Sequence, residues 1–334
     1  MSEESEQDPK RRRAGSLRTV IIAFGANCVV AIAKTIAAIV TGSASMVAES
    51  AHSWADAGNE IFLLMAERRS ARPRNPAHPV GYGREAYVWS LIAAFGLFTA
   101  GAVFSIMHGI AELTSTRPGS NFVVAYVVLA ISFVFEGISF AQSYLQARRM
   151  ADARGAGTLE HVLVTSNTTL RAVFAEDAAA LIGLVIAFAG VLTHQLTGDA
   201  VYDAIGSILV GVLLGVVAII LIDRNRRFLI GEPASDAITD TVLAVLLERE
   251  EIDKVTYLHL EFVGPEQFNL VAAVDLAGDD PESDIAGEIV AIECDLERSP
   301  YITRAVLTLS RPGATPLEAK PSDGGLGTVS TVIH

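Results

Sequence analysis

His52 and Asp56 stand four residues apart in a long apolar stretch, His52-Ser-Trp-Ala-Asp56, so on a helix their side chains lie one above the other on a single face. An imidazole and a carboxylate so placed can converge on one cation or handle a proton; the plainer alternative is an interhelical hydrogen bond. Holding each ionisable group in hydrocarbon costs roughly 2.5–3.5 kcal/mol on insertion scales, which makes the pair a pointer to an ion or proton path. Asn59, three residues after Asp56, falls on a neighbouring part of that face and is read as an auxiliary ligand, an orienting partner or helix-helix glue. Lys34 and Glu136 lie in two other apolar stretches and are expected to pair, each offsetting the other's burial, so Glu136 is auxiliary to any such path.

The elements that must carry these groups are membrane helices. Hydrophobic residues make up 51% of the 334, only 19% are charged, and mean hydropathy is +0.41, a profile foreign to soluble enzymes. Six apolar runs, about 18–42, 46–66, 86–112, 121–145, 169–193 and 200–223, are each long enough to cross a ~30 Å hydrocarbon core. Basic residues crowd at Lys10–Arg13, Arg68–Arg84, Arg148–Arg154 and Arg224–Arg227, in every second connection, while the intervening loops hold only Arg117. The positive-inside rule then places both termini in the cytoplasm. Cys28 and Cys294 form neither a disulfide pattern nor a metal-spaced pair.

Beyond Arg227 the chain turns acidic and alternating, which accounts for the net charge of −13 and marks a separate cytoplasmic domain. Periodicity predicts a helix at about 235–250 capped by Ser235, strands at about 255–263 and 267–276 around Gly264-Pro265, a helix at about 283–298 and a strand at about 301–310. The order αββαβ suits a three-stranded sheet with both helices on one face, a small ferredoxin-like α+β domain. The predicted organisation is a polar segment 1–16, a six-helix transmembrane domain 17–228, the α+β domain 229–311 and a disordered tail 312–334.

Gly42-Ser-Ala-Ser-Met-Val-Ala-Glu-Ser-Ala-His-Ser-Trp-Ala-Asp56, His78-Pro-Val-Gly-Tyr-Gly83 and Asp203-Ala-Ile-Gly-Ser207 occur in order, and in these the chain resembles the cation diffusion facilitator family over about residues 18–310. The resemblance implies a homodimeric antiporter that expels a divalent cation, usually zinc, against protons by alternating access. It implies a site in which His52 and Asp56 of the second span meet a His and an Asp, four apart, of the fifth. Asp177 aligns by its distance to Gly183, but the residue four before it is Val173, and Glu176 adds a carboxylate about 100° around the helix. The pattern is similar to a subgroup with a Glu-Asp pair. Both Asp56 and Asp177 fall about ten residues from a span end, near the midplane. His52, Asp56 and Asp177 can therefore surround one ion, with Glu176 or water completing the shell. Zinc accepts such a mixed set, and replacing imidazole by carboxylate shifts preference toward manganese or ferrous iron. Metal binding requires neutral imidazole and ionised carboxylates, so proton and metal compete for the same atoms, with His52 the leading proton carrier beside Asp56 and Asp177.

Other polar groups read as structural. His78, among arginines, is a poor metal site, and its loop is expected to meet anionic lipid headgroups; His161 is read the same way. In the α+β domain His259 and Glu261, two apart on one strand face, form a weak candidate for a regulatory cation, and homodimerisation is the expected role of that domain. No organic cofactor motif, nucleophile-base pair or phosphate loop is present, and an acidic domain would repel nucleic acid. An incomplete fifth-span half-site leaves a second reading, a membrane-anchored metal-binding scaffold or sensor that does not transport. Glu3, Glu4, Glu6 and Asp8 ahead of the basic cluster are unlike a transit leader, which favours a bacterial inner membrane.

Overall fold

The computed structural model describes residues 9–114, 121–152, 157–278 and 281–319. Residues 1–8 of the polar segment, 320–334 of the tail, Arg117 and Arg154 lie outside the described residues. Six long helices are α1 (Pro9–Thr41), α2 (Ala44–Ser70), α3 (Glu85–Glu112), α4 (Phe122–Asp152), α6 (Thr168–Thr197) and α7 (Val201–Ile230); a short α5 (Thr158–Val164) precedes α6. Five of them, all but α2, are long and apolar enough to cross a membrane. Their outer faces carry large apolar side chains such as Ile39 (78% exposed), Phe95 (69%) and Ile219 (68%), a surface that water would not tolerate and lipid solvates. The protein is an integral membrane protein. α2 has the opposite pattern: Glu49, His52, Asp56 and Asn59 are buried along one side, spaced so that they share a face.

By contact the chain divides into two compact units, the first comprising Met1–Ala66, Trp89–Tyr144 and Thr169–Asp223. In it α1 and α2 form an antiparallel hairpin whose rungs are polar. Asn27 meets Glu60, Lys34 meets Glu49 and the Thr35 and Ser50 hydroxyls lie 2.7 Å apart, the partners running in opposite chain directions. α6 is common to two apolar clusters: Leu184, Ala187 and Val191 pack with Ala37, Met46, Ala125 and Leu129, and Ala179 packs with Phe98, Ala102, Leu214 and Leu221. One π turn, Ala94–Phe98, interrupts α3 and brings Phe98 into the second cluster. The start of α2 is held by α7: the Asp203 carboxylate accepts from Ser43 Oγ at 2.9 Å, Ala44 N at 2.7 Å and Ser45 N at 3.2 Å. An anion at that place satisfies amides the helix leaves open and complements its dipole.

The second unit comprises Glu67–Val88, Leu145–Thr168 and Arg224–His334. It holds α8 (Asp236–Leu247), β1 (Ile252–Gly264), β2 (Gln267–Leu276), α9 (Glu282–Leu296) and β3 (Ile302–Leu309), the predicted αββαβ order. The sheet order is β1-β2-β3, antiparallel then parallel. Along β2 the alternate residues Phe268, Leu270, Ala272, Val274 and Leu276 are buried, and they share one core with Val242, Leu243 and Leu246 of α8 and Ile292 and Leu296 of α9. Ser235 precedes α8 in extended conformation but makes no side-chain cap bond, and α8 ends at Leu247, short of the predicted 250.

The His78-Pro-Val-Gly-Tyr-Gly83 loop is packed onto this domain. Gly83 is there because nothing larger fits: a Cβ would lie 2.8 Å from the Gly264 Cα. Tyr87 stacks on Phe228, which meets Phe262 edge-on. Arg84 pairs with Glu261, and Arg74 donates to Glu297 Oε2 at 2.6 Å and to the Thr303 carbonyl at 2.8 Å. Partial burial opposes ionisation of Glu297, yet hydrogen bonds from Arg74 and from Ala305 N–H hold its carboxyl below the usual range.

Two outcomes are expected. Asp203→Ala, which strips the start of α2 of three accepted hydrogen bonds, lowers stability by about 1–2 kcal/mol, with Asp203→Asn in between; thermal unfolding in detergent measures it. A carboxyl held low in the folded state contributes stability above its ordinary pKa and loses it as pH falls through the folded value, so the Arg74–Glu297 clasp weakens in acid, below the ordinary glutamate range. Amide exchange between Arg74 and Arg84, corrected for intrinsic rate, should rise there, and Glu297→Gln should raise it at neutral pH.

Candidate metal and proton site

The polar faces of α1, α2, α4 and α6 meet at a cavity of about 60 Å³ inside the first unit. α2 lines it with Asp56 and Glu60, α6 with Val173, Glu176 and Asp177, α4 with Glu136 and Ser139, and α1 with Asn27. These helices are apolar elsewhere, so the groups gather where each helix has one polar stripe. On α2 that stripe runs Glu49, His52, Asp56, Asn59/Glu60; on α4 it runs Ser132, Glu136, Ser139, Ser143, again at helical spacing.

Of the residues predicted from sequence, Asp56, Glu176 and Asp177 face one cavity, as does Glu136, while His52 stands beside it, one turn from Asp56. The His52 Nδ1 lies 3.4 Å from Asp56 Oδ1; both ring nitrogens and that oxygen are buried without a hydrogen bond. Buried polar atoms left in this way are costly, and a cation or a proton between them is the chemistry that removes the cost. Among the described residues no three His, Cys, Asp or Glu side chains are gathered as tightly as a bound ion requires in this conformation.

The remaining carboxylates are positioned from neighbouring helices. Asp177 accepts from Ser139 Oγ at 3.0 Å and from Ser143 Oγ at 2.9 Å, one hydroxyl to each oxygen. Glu176 Oε1 accepts from Asn59 Nδ2, which makes Asn59 an orienting group for α6. Glu60 Oε1 accepts from Asn27 Nδ2 at 2.6 Å. Lys34, wholly buried, donates to Glu49 Oε2 at 3.0 Å and lies 3.9 Å from Glu136 Oε1. The expected Lys34–Glu136 pair therefore exists, but the nearer partner is Glu49. The free Oε1 of Glu49 is turned to α6 at Gly183, where an added Cβ would lie 2.6 Å from it.

Sequence reasoning missed Glu49, Glu60, Ser139 and Ser143. Their signal was present as helical spacing of polar residues within apolar runs. The weak pair in the α+β domain looks different, since Glu261 is engaged by Arg84. His78 stacks on Tyr82 with ring centroids 4.2 Å apart, and its backbone closes a turn with Asn75.

Residues 20–230 match the cation efflux transmembrane domain family. The chain is 37% identical over 233 residues to Metal tolerance protein C4 of Arabidopsis thaliana, covering 70% of this chain and 51% of that one. It is 38% identical over 217 residues to the mitochondrial proton-coupled zinc antiporter SLC30A9 of Xenopus laevis, covering 65% and 39%. Zinc transporter ZitB of Escherichia coli is 25% identical over 248 residues, 74% of each chain. The chain thus spans about half or less of the length of the first two relatives. Because the matched domain runs from within α1 to the last residue of α7 and encloses every group around the cavity, the chain belongs to the cation efflux, or cation diffusion facilitator, family.

Proposed function

We propose that the protein expels a first-row divalent metal ion, zinc foremost with iron or manganese as alternatives, in exchange for protons by alternating access. The observation that carries this reading is the cavity lined by Asp56, Glu176 and Asp177 among otherwise apolar membrane helices, with His52 unpartnered beside it. The names of the relatives support it: one is a proton-coupled zinc antiporter and another a zinc transporter. His52, Asp56 and Asp177 would hold the ion, and Glu176 would join as the fourth donor by releasing Asn59. The Glu176-Asp177 pair in place of a fifth-span imidazole supports a Glu-Asp subgroup and favours oxygen-tolerant ions more than a His-rich site would.

Further parts of the reading follow the charge pattern. Arginines on every second connection support cytoplasmic termini for a membrane domain over 17–228 and an acidic domain over 229–311 on the same side. The family supports a homodimer joined in part through that domain. His259 and Glu261 remain a minor candidate for a regulatory cation.

Flux into proteoliposomes under an imposed pH gradient tests the reading with zinc, manganese, ferrous iron, cobalt and cadmium. Wild type should accumulate one of these in acid-loaded vesicles as protons leave down their gradient, Asp177→Ala should slow it by at least about tenfold, and Val173→His should shift preference toward zinc. Binding without flux of any ion would instead favour a membrane-anchored sensor or scaffold.

The exchange also has a stoichiometric signature. Ligand atoms shed protons when a metal binds, so apparent affinity should fall with falling pH, and metal addition to protein in weak buffer should release protons. His52→Ala should reduce the protons released per ion, as read by a pH indicator dye; an undiminished count would remove His52 as the carrier.

A further inference from the structure

A four-donor shell drawn from α2 and α6 alone requires Glu176 to give up its bond to Asn59. His52 and Asp56 come from α2, where Glu60 is tied through Oε1 to Asn27; on α6 Asp177 accepts from two serines, Glu176 is bonded to Asn59, and Val173 offers no donor atom. Val173 lines the cavity, and so does one carboxylate from a helix outside that pair, Glu136 of α4. We propose that Glu136 is a direct oxygen ligand of the transported divalent cation, entering from α4 to supply the donor that Val173 lacks. The proposal rests on the transport reading above.

Three observations carry it. The α4 face that presents Glu136 also presents Ser139 and Ser143, three and seven residues on, and these hydroxyls hold both oxygens of Asp177. α4 is thereby locked in the register that brings Glu136 to the same cavity as Asp177. Next, Glu136 is only loosely engaged. Among the described residues its one polar partner is Lys34, at 3.9 Å the long limit of an ion pair, whereas Lys34 already has Glu49 at 3.0 Å. Glu136 can swing to an ion without leaving the buried ammonium bare, since Glu49 keeps it paired. Finally, Asp56, only 9% exposed, lines this cavity with its Oδ1 free of any hydrogen bond and so waits for the same ion. Before an ion arrives, the Lys34 ammonium supplies positive charge between Glu49 and Glu136; a divalent ion then takes over its part at Glu136.

Cobalt(II) bound to full-length protein in lipid nanodiscs reports the donor set through its visible ligand-field bands. Glu136→Gln, equal in shape but a poor ligand, should weaken cobalt binding by at least about tenfold and alter those bands at saturation. Glu136→Asp should restore part of both. A Glu136→Gln protein with the wild-type spectrum at saturation overturns the proposal even if affinity falls, because a merely structural side chain changes stability and affinity but not the donor set. Should Glu136→Gln fail to fold, Glu136→Ala, which removes the donor altogether, decides the matter by the same spectrum, an unchanged one being fatal. Asp177→Ala run in parallel separates the two readings. If it abolishes the cobalt bands while Glu136 variants leave them alone, only this inference falls; if it leaves them intact, or wild type shows none, the transport site itself is misplaced.

Discussion

Several carboxylates share one small cavity inside apolar helices, with a single buried ammonium beside them. Bulk water does not surround these groups, so most of their oxygens must find a donor in the protein, in a few cavity waters or in cargo. The arrangement of the first unit answers that requirement. Asn27 serves Glu60, Asn59 serves Glu176, the Ser139 and Ser143 hydroxyls serve Asp177, and Lys34 serves Glu49. Among the described residues, buried atoms left without a hydrogen bond include Asp56 Oδ1, both nitrogens of His52 and one oxygen each of Glu49 and Glu60, along with the Ser53 and Ser105 hydroxyls. Two of those residues are the α2 pair on which the metal reading rests, and most of these atoms lie on α2, along the face that carries that pair.

These bonds also define which helices travel together. Asn27–Glu60, Lys34–Glu49 and Thr35–Ser50 tie α1 to α2, and the two serines tie α4 to α6. Across the pairs the polar ties are Asn59–Glu176 and the long Lys34–Glu136 contact. A motion that shifts one pair against the other therefore has to break the very bonds that occupy Glu176 and Glu136. In the proposed cycle this couples the ion to conformation: a cation that recruits those carboxylates removes the ties that resist the motion, and its departure lets them re-form.

The helices were legible because apolar length and the four-residue spacing of His52 and Asp56 are local signals. The αββαβ order was legible for the same reason, with ends differing by a few residues where hydrogen bonding, not periodicity, decides them, as at Leu247. Partners were harder to see. Glu49 lies within the phrase that identifies the family, yet its attachment to Lys34 depends on how tightly α1 and α2 pack. Ser139 and Ser143 form a stripe with Glu136, but small hydroxyls in membrane helices are ordinary glue, and only the docking of α4 on α6 turns them to Asp177. Asp203, at the head of an apolar run, gives no sign in sequence of a partner; it holds the start of α2 from 160 residues away, which no spacing rule encodes.

Cavity size adds a constraint that composition could not supply. At about 60 Å³ the space is small beside the six waters of an octahedral aqua ion, each of which fills about 30 Å³ in the liquid. An ion passing here must exchange most of its hydration shell for carboxylate and imidazole. Magnesium dehydrates reluctantly and keeps several waters, so the exchange disfavours it strongly. Zinc, manganese and ferrous iron lose water more readily and gain from nitrogen and carboxylate donors. In the proposed cycle the small space between α2, α4 and α6 would thus disfavour magnesium, whereas the choice among transition metals would fall to the donors themselves, and hence to whether position 173 carries a side chain that can coordinate.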